Sequence, residues 1–367
     1  MAKVELRSIN RRFGDVVALN SVSLTAEDGE FFVLLGASGA GKSTTINIVS
    51  GLENPDSGSV FLNDMDVTRE FPQDRDVATA FEAYALYPHF TVNQNLLFPL
   101  EARRRRSEFT KDQRQERATA IAEMLGIDEL LDRFPRELSG GQRQRVALGR
   151  TLVRSPQVYL LDEPIAHLDA KLRHRMRAEL KKIQRNLGIT TIYATPDQLE
   201  ALSMGDKIAV LNEGVLEQVG PPEELYSRPA NLYVARFVGE PPMNILEAGI
   251  EGSSAKIHGG TVRSTSIPQS VLALLDGGGG RDQVLIGIRP SDIQLCEPGD
   301  PESHIAGEVT LRDTLGQISI ITVVSGGITI KAKINTDDLP ELNSHIGLRF
   351  LEDRFHHFDV ASHQRVG

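Results

Sequence analysis

The peptide Gly36-Ala37-Ser38-Gly39-Ala40-Gly41-Lys42-Ser43-Thr44 constrains this chain more than any other stretch. An apolar run, Phe31-Phe32-Val33-Leu34-Leu35, precedes it, and helical sequence follows. Strand, glycine-rich loop and helix in that order are the context a phosphate-binding loop requires. Glycines let the backbone wrap closely around an anion and turn successive N–H groups toward it. A helix starting near Lys42 adds its positive end. In such a loop Gly36, Ser38, Gly39, Gly41 and Thr44 cradle phosphates, Lys42 reaches the β- and γ-phosphates, and Ser43 holds Mg²⁺. A glycine-rich turn before an ordinary helix is the plain alternative. Gly-Lys-Ser-Thr directly behind a strand argues against it.

Two more motifs lie downstream. Leu138-Ser139-Gly140-Gly141-Gln142 runs into Arg143-Gln144-Arg145, and Val158-Tyr159-Leu160-Leu161-Asp162-Glu163-Pro164 follows. An apolar strand ending in two acids suits Mg²⁺ chemistry. Asp162 can hold the metal through its waters, and Glu163 can orient or deprotonate an attacking water. The ordered set resembles the ATP-binding subunits of ABC transporters: a Walker A loop at 36–44, the LSGGQ signature at 138–142, then Walker B with its catalytic Glu163. The fuller pattern looks like the subunits that power bacterial uptake of sugars and related solutes. It matches over residues 3–235 in detail and more loosely beyond.

The resemblance implies ATP and Mg²⁺ as cofactors. It implies two transmembrane permease subunits as partners, indirectly a solute-binding protein, and a peripheral place on the cytoplasmic face of the membrane. Sites in this family form between two subunits. One chain supplies its P-loop and Walker B; the other brings Ser139, Gly140, Gly141 and Gln142 to the γ-phosphate. An aromatic just before a turn such as Gly14-Asp15 stacks on adenine in the family, which makes Phe13 the candidate. A core Phe is the alternative. Residues 84–89 fall in the segment that receives the coupling helix of the membrane partner.

Composition agrees. A chain of 367 residues holds more than one domain. Lys and Arg number 40 against 50 Asp and Glu, a formal charge of −10. This argues against nucleic acid as the main partner, since its binders usually carry a dominant basic surface. The single cysteine, Cys296, rules out an internal disulfide and reads as a small buried hydrophobe in a reducing compartment. No signal peptide is read before the first strand, and no apolar run reaches about 18 residues. Other chains must then supply the pore. The Arg103-Arg104-Arg105-Arg106 run reads as a solvated surface helix or loop.

The predicted fold class is α/β: a P-loop ABC ATPase core over 1–235 with a helical subdomain at about 88–153. A linker at 236–245 and a small all-β OB-like domain at 246–367 follow. Strands at 4–7, 17–24, 158–161, 190–194, 207–211 and 215–219 alternate with helices, which argues for an α/β sheet. The stretch 170–187 predicts an amphipathic helix with Leu172, Met176, Leu180, Ile183 and Leu187 buried and Gly188 as C-cap. The helical subdomain's arrangement is implied by the resemblance alone. Past Glu240-Pro241-Pro242 the chain turns to short β-type runs, with a turn at 277–280. Ile286-Gly287-Ile288-Arg289-Pro290 resembles the accessory domain of sugar-importer ATPases, read here as a dimerisation module without a ligand. No basic-aromatic stripe supports nucleic-acid binding there.

Two positions depart from the family pattern. The loop after the second nucleotide-binding strand normally carries a Gln that senses Mg²⁺ and the attacking water. Glu82 holds that place in Phe81-Glu82-Ala83-Tyr84. Glu can still ligate Mg²⁺, so the implied metal set is Ser43, Glu82 and Asp162. Its charge costs something near Glu163: two unit charges about 4 Å apart repel by about 4 kcal/mol at an effective dielectric of about 20. The family's switch His, expected in a Thr-His-Asp setting, is replaced in Thr195-Pro196-Asp197. Pro196 has no ring nitrogen and no backbone N–H. Losing a transition-state donor costs about 10²–10³ in rate. A heterodimer follows most directly: this chain's own site is impaired, and its clean signature completes the partner's site. A homodimeric slow ATPase and a non-hydrolysing regulatory subunit are the alternatives. A soluble ABC ATPase of translation or DNA repair is disfavoured, because the chain has neither a second core nor a coiled-coil insert.

Overall fold

The computed structural model describes residues 2–81, 85–102, 109–257, 264–266, 268, 271–272 and 283–366. The chain divides into two compact units, Met1–Pro222 and Glu223–Gly367. Glu82, the Arg103–Arg106 run and the turn at 277–280 lie outside the described residues.

Two sheets build the first unit. Strands β1 (Val4–Phe13), β2 (Val16–Ala26), β4 (Ser57–Leu62) and β5 (Met65–Asp66) form an antiparallel sheet in the order β2-β1-β4-β5. Strands β3 (Phe31–Leu35), β6 (Val77–Ala80), β7 (Val158–Asp162), β8 (Thr190–Thr195), β9 (Lys207–Asn212) and β10 (Val215–Gly220) form the second, ordered β10-β9-β3-β8-β7-β6. All its pairings are parallel except the β9–β10 hairpin. Strands β3, β7 and β8 are buried along their whole length, which is why none of them alternates: β3 is wholly apolar, β7 is apolar up to Asp162, and β8 carries buried threonines around Ile192-Tyr193-Ala194. Phe32, Leu34, Ile46, Leu160 and Ile192 share one core cluster.

Parallel neighbours need crossover helices. These are α1 (Lys42–Ser50), α5 (Ala170–Leu187) and α6 (Gln198–Met204). Between β6 and β7 the chain inserts α2 (Val92–Glu101), α3 (Lys111–Leu125) and α4 (Gly140–Leu152), which pack on one another. All three insert helices open with the same device. Thr91 with Gln94, Thr110 with Gln113 and Ser139 with Gln142 each close a reciprocal capping box, satisfying two orphan backbone groups per helix.

Helix α5 departs from its expected stripe. Met176 and Leu180 are buried and Gly188 caps in the left-handed region, as the period predicts, but Leu172 and Ile183 are only half-buried. Leu187 is 40% exposed, and Gln184 takes the last buried position. The reason is hydrogen bonding: the Gln184 amide donates to the carbonyls of Gly29 and Ile189, which buried backbone could not leave unmet.

The second unit opens with α7 (Pro222–Ser227) and α8 (Leu232–Phe237). Strands β11 (Asn244–Glu251), β12 (Ser254–Ile257), β13 (Ser264–Ser266), β14 (Gln283–Ile288) and β20 (His356–Phe358) form one antiparallel sheet, ordered β13-β12-β11-β14-β20. Strands β15 (Ile293–Cys296), β16 (Ile305–Leu315), β17 (Ile318–Ser325), β18 (Ile328–Asn335) and β19 (His345–Phe350) form another, ordered β15-β19-β16-β17-β18. Leu246, Ile286, Val309, Ile321 and Leu348 from both sheets fill one core, giving an OB-like all-β unit. Buried Asn244 ties the sheets together: its amide donates to the Lys331 carbonyl at 2.9 Å and accepts from the Lys331 N–H at 2.8 Å. Arg289 is 1% exposed; its guanidinium donates to the carbonyls of Tyr226, Ala235 and Val238 and lies over the Tyr226 ring. Cys296 is half-buried, not buried, because it ends the edge strand β15.

Candidate nucleotide site

The parallel run β9-β3-β8-β7-β6 turns five carboxyl ends to one edge, where open α/β sheets bind their ligands. Leu35 of β3 is in register with Thr195 of β8, Ala194 with Asp162 of β7, and Leu161 with Ala80 of β6. The residues that come next, Gly36, Pro196, Glu163 and Phe81, therefore leave the sheet side by side. Motifs far apart in sequence become neighbours through strand order alone.

The loop after β3 needs its glycines for two different reasons. A Cβ on Gly36 would lie 2.4 Å from the Leu211 carbonyl oxygen. Gly41 has φ of 102° and leaves only 2.6 Å to the Ala18 carbonyl oxygen. Gly41 also caps α1 without a side chain, and the first turn carries no acid, so the helix end is left bare for an anion. Lys42 is 4% exposed and donates to the carbonyls of Gly36 at 2.9 Å and Ala37 at 3.0 Å. Its ammonium lies 3.7 Å from the Glu163 carboxylate. Ser38, Gly39 and Ser43 are exposed, and Thr44 is half-buried.

Asp162 ends β7 and is 5% exposed. Glu163 then adopts φ of 46°, a left-handed conformation uncommon outside glycine and a mark of local strain. Two bonds hold it there. Its N–H donates to the Ala194 carbonyl at 3.0 Å, and its carbonyl accepts from the Gln144 amide at 3.3 Å. Gln144 is buried one turn beyond the signature. Sequence reasoning missed it, because a Gln in a run of polar residues gives no signal of its own.

Pro196 is exposed, and the turn around it is fastened on both sides. The Thr195 hydroxyl donates to Glu200 at 2.7 Å and accepts from the Asp197 N–H at 3.0 Å. Asp197 caps α6. Burial pushes the Glu200 carboxyl above its ordinary range, while bonds from Thr195 and Tyr193 oppose that rise.

The signature opens α4. The Ser139 hydroxyl accepts from the Gln142 backbone N–H at 3.3 Å, and the Gln142 side-chain Oε1 accepts from the Ser139 N–H at 2.8 Å. Ser139 is exposed, and a Cβ on Gly140 would meet nothing within 4 Å. This face of the helix end is open. Phe13, at the end of β1, is 44% exposed, so it is not a core residue. One face of its ring is 4.6 Å from the Arg11 guanidinium, which is itself paired with Glu53 and Asp56. At 85–90, Asn95 holds the backbone of Tyr87 and Phe90, and the rings of Tyr87, Phe90 and Phe98 cluster at 4.5–5.7 Å. Arg150 donates to the Ala85 carbonyl and lies over the Tyr87 ring. Among the described residues no helix is long and apolar enough to cross a membrane.

A family model for the ABC transporter matches residues 19–166. The trehalose/maltose import ATP-binding protein MalK of Thermococcus litoralis is 45% identical over 100% of both chains. The trehalose import ATP-binding protein SugC of Mycobacterium tuberculosis is 44% identical, covering 95% of this chain and 88% of its own. The sn-glycerol-3-phosphate import ATP-binding protein UgpC 3 of Agrobacterium fabrum is 39% identical over 98% and 99%. Among solved structures, an ATP-binding cassette dimer in a post-hydrolysis state with ADP and Pi aligns with a TM-score of 0.55 and 31% identity. It covers 60% of this chain and 98% of that one. Identity at this level from end to end, with the three motifs placed as described, makes the chain a member of the ABC transporter family, one of its ATP-binding, ATP-hydrolysing subunits.

Proposed function

We propose that this chain is the energy-coupling subunit of an importer for a small solute, a sugar or polyol, peripheral on the cytoplasmic face of the membrane. The observation that carries the reading is the 45% identity to a trehalose/maltose import subunit across 100% of both chains, which includes the β-rich second unit. The domain assignment is an ATP-binding domain at 1–235, a linker at 236–245 and an accessory domain at 246–367.

In this reading Gly36, Ser38, Gly39, Gly41, Lys42, Ser43 and Thr44 hold the phosphates of ATP, and Phe13 stacks on the adenine. A hydroxyl at Ser43 and a nearly buried carboxylate at Asp162 are hard oxygen donors that fit Mg²⁺, with Glu82 as the third. Among the described residues no three His, Cys, Asp or Glu side chains gather into a metal cage. Mg²⁺ commonly binds through one or two carboxylates and substrate phosphates, so the donor set suits it. When bound it neutralises charge on the β- and γ-phosphates. Glu163 orients the attacking water and takes its proton on the carboxylate while the β–γ phosphoanhydride bond breaks. Lys42 steadies the charge on that carboxylate.

Pro196 occupies the place where a donor to the γ-phosphate would stand, and it has none to give. This supports a heterodimer: the chain's own site is impaired by Pro196 and Glu82, and Ser139, Gly140, Gly141 and Gln142 complete a partner's site. Two permease subunits receive the coupling through the segment at 84–89. A second reading, a homodimer with slow turnover, is favoured by one observation: P-loop, signature and Walker B are all intact in a single chain.

The test is to purify the chain with its native membrane partners and identify every subunit. Two hydrophobic proteins and a second, different ATPase are expected. A complex with two copies of this chain rejects the heterodimer. Absence of hydrophobic partners rejects the importer.

A further inference from the structure

We propose that the groove between α5 and α6 is a docking surface for an acidic polypeptide segment. Helix α5 carries seven Lys or Arg and a single Glu among its 18 residues, in a chain whose formal charge is −10. His174, Arg177, Lys181, Lys182 and Arg185 line one side of a groove of about 550 Å³, and Leu199 of α6 lies on the other. Positions 174, 177, 181 and 185 follow helical spacing, so they form one stripe roughly 16 Å long at about 1.5 Å per residue. Lys181 already has a carboxylate, Asp206, at 2.6 Å. Arg177, Lys182 and Arg185 form no ion pair among the described residues; Arg177 touches only the His174 ring nitrogen, at 3.3 Å. Like charges three and four apart on a helix destabilise it by about 0.2–0.5 kcal/mol per pair. An acidic chain had many carboxylates with which to neutralise this stripe, and it left the three cations without one.

Apolar side chains accompany the charge. Leu199 is 59% exposed at the groove, and Leu187 is 40% exposed at the end of the same helix. A segment with acids on one face and an apolar residue beside them matches both features, in the manner of an amphipathic helix laid in a groove. Nucleic acid fits less well: no aromatic ring lines the groove for a base to stack on. A flat lipid surface would not reach a concave floor. Topology also separates the groove from the nucleotide edge. Helix α5 leaves that edge after β7 and runs back to the start of β8, so its second half lies toward the opposite edge of the sheet.

The probe is a fluorescent synthetic helix about three turns long, with glutamates along one face and one leucine beside them. It is titrated into the full chain with saturating Mg-ADP, and anisotropy is read at about 50 mM and about 300 mM salt, between which the Debye length falls from about 14 Å to about 6 Å. Binding is expected to weaken with salt and to fall at least about tenfold in Lys182→Glu/Arg185→Glu, where two attractions become repulsions. Leu199→Ser should weaken it about threefold. Lys171→Glu/Arg175→Glu makes the same charge change on the same helix outside the groove and should alter binding by no more than about twofold. ADP affinity, unchanged in every variant, reports that each has folded. The proposal is overturned if the peptide does not bind the wild type, or if the control pair loses as much as the groove pair. It is equally overturned if phosphatidylserine vesicles or single-stranded RNA show the groove dependence and the peptide does not.

Discussion

The Lys42 ammonium lies 3.7 Å from the Glu163 carboxylate, Lys42 being 4% and Glu163 19% exposed. One residue follows β3 and the other follows β7, and each is turned into place by backbone that few residues tolerate: Gly41 at φ of 102°, Glu163 itself at 46°. The pair joins the glycine-rich loop after β3 to the acidic end of β7.

Lys42→Ala should weaken ATP binding to this chain's own site by at least about tenfold. A charge-assisted hydrogen bond contributes about 1.5–3 kcal/mol, and each 1.4 kcal/mol is about tenfold. Fluorescent-nucleotide titration of the isolated chain measures it. Unchanged affinity would mean that the loop is not where ATP binds.

In the assembled transporter, Ser139→Arg should abolish most ATPase activity, because a bulky cation would replace a small hydroxyl at the open end of α4. On the heterodimer reading, Glu163→Gln in the same chain should cost less, since Pro196 has no donor to give that site. Phosphate release by the two variants ranks them. If Glu163→Gln proves the more damaging, the division of labour between unlike subunits is wrong.

Pro196→His together with Glu82→Gln should raise hydrolysis by the isolated chain at least about tenfold, below the 10²–10³ that one transition-state donor typically supplies. A shortfall is built in, because Thr195 and Asp197 are fastened on either side of the proline. Steady-state rates at saturating Mg-ATP decide it. A brisk wild-type rate with no gain in the double variant would show that neither position is a lesion.

Arg289→Gln should destabilise the second unit by roughly 3 kcal/mol. The guanidinium serves three backbone carbonyls in a nearly water-free place, and a buried acceptor left unmet costs about 1–3 kcal/mol. Burial lowers its pKa to about 10, still high enough to keep it charged near neutrality. Denaturant unfolding read by a probe in that unit gives the number; a loss under about 1 kcal/mol would argue against the capping role.

Burial, reinforced by the charge of Arg365, lowers His356 and His357 to about 4. Both are therefore neutral in the fold, while the unfolded chain takes up protons below about 6.5. Stability should be complete above that pH and should fall as pH drops from 6.5 toward 4. His356→Gln should flatten the loss in the same window, as thermal unfolding across that pH range would reveal. An identical slope in wild type and variant would mean that His356 does not contribute.

The motifs and their local structure were readable because each is short. Gly36 to Thr44, Ser139 to Gln142 and Asp162-Glu163 each lie within a few residues; the first two are held by bonds within their own peptides, whereas Glu163 is held by Ala194 and Gln144. Helix α5 was readable by its period at Met176 and Leu180, but Leu172 and Ile183 are only half-buried and Leu187 was misread. The buried position went to Gln184, whose worth depends on carbonyls at Gly29 and Ile189 that no helical period records. Cys296 was expected to be buried and is half-buried, because edge position in a sheet follows from pairing and not from residue type. Arg289 stood out as part of a motif, but its three acceptors could be named only from the fold.

The sequence by itself determined a glycine-rich loop at the start of a helix, a buried strand that ends in two acids and a helix capped by an open Ser-Gly-Gly. These follow from residue chemistry at short range. Tertiary structure alone decided that they belong together. Leu35 beside Thr195 and Ala194 beside Asp162 are pairings between distant strands, fixed by how buried apolar runs pack and satisfy their backbone bonds. That register sets Gly36, Pro196 and Glu163 on one edge. A proline distant in sequence from both motifs thereby becomes their neighbour.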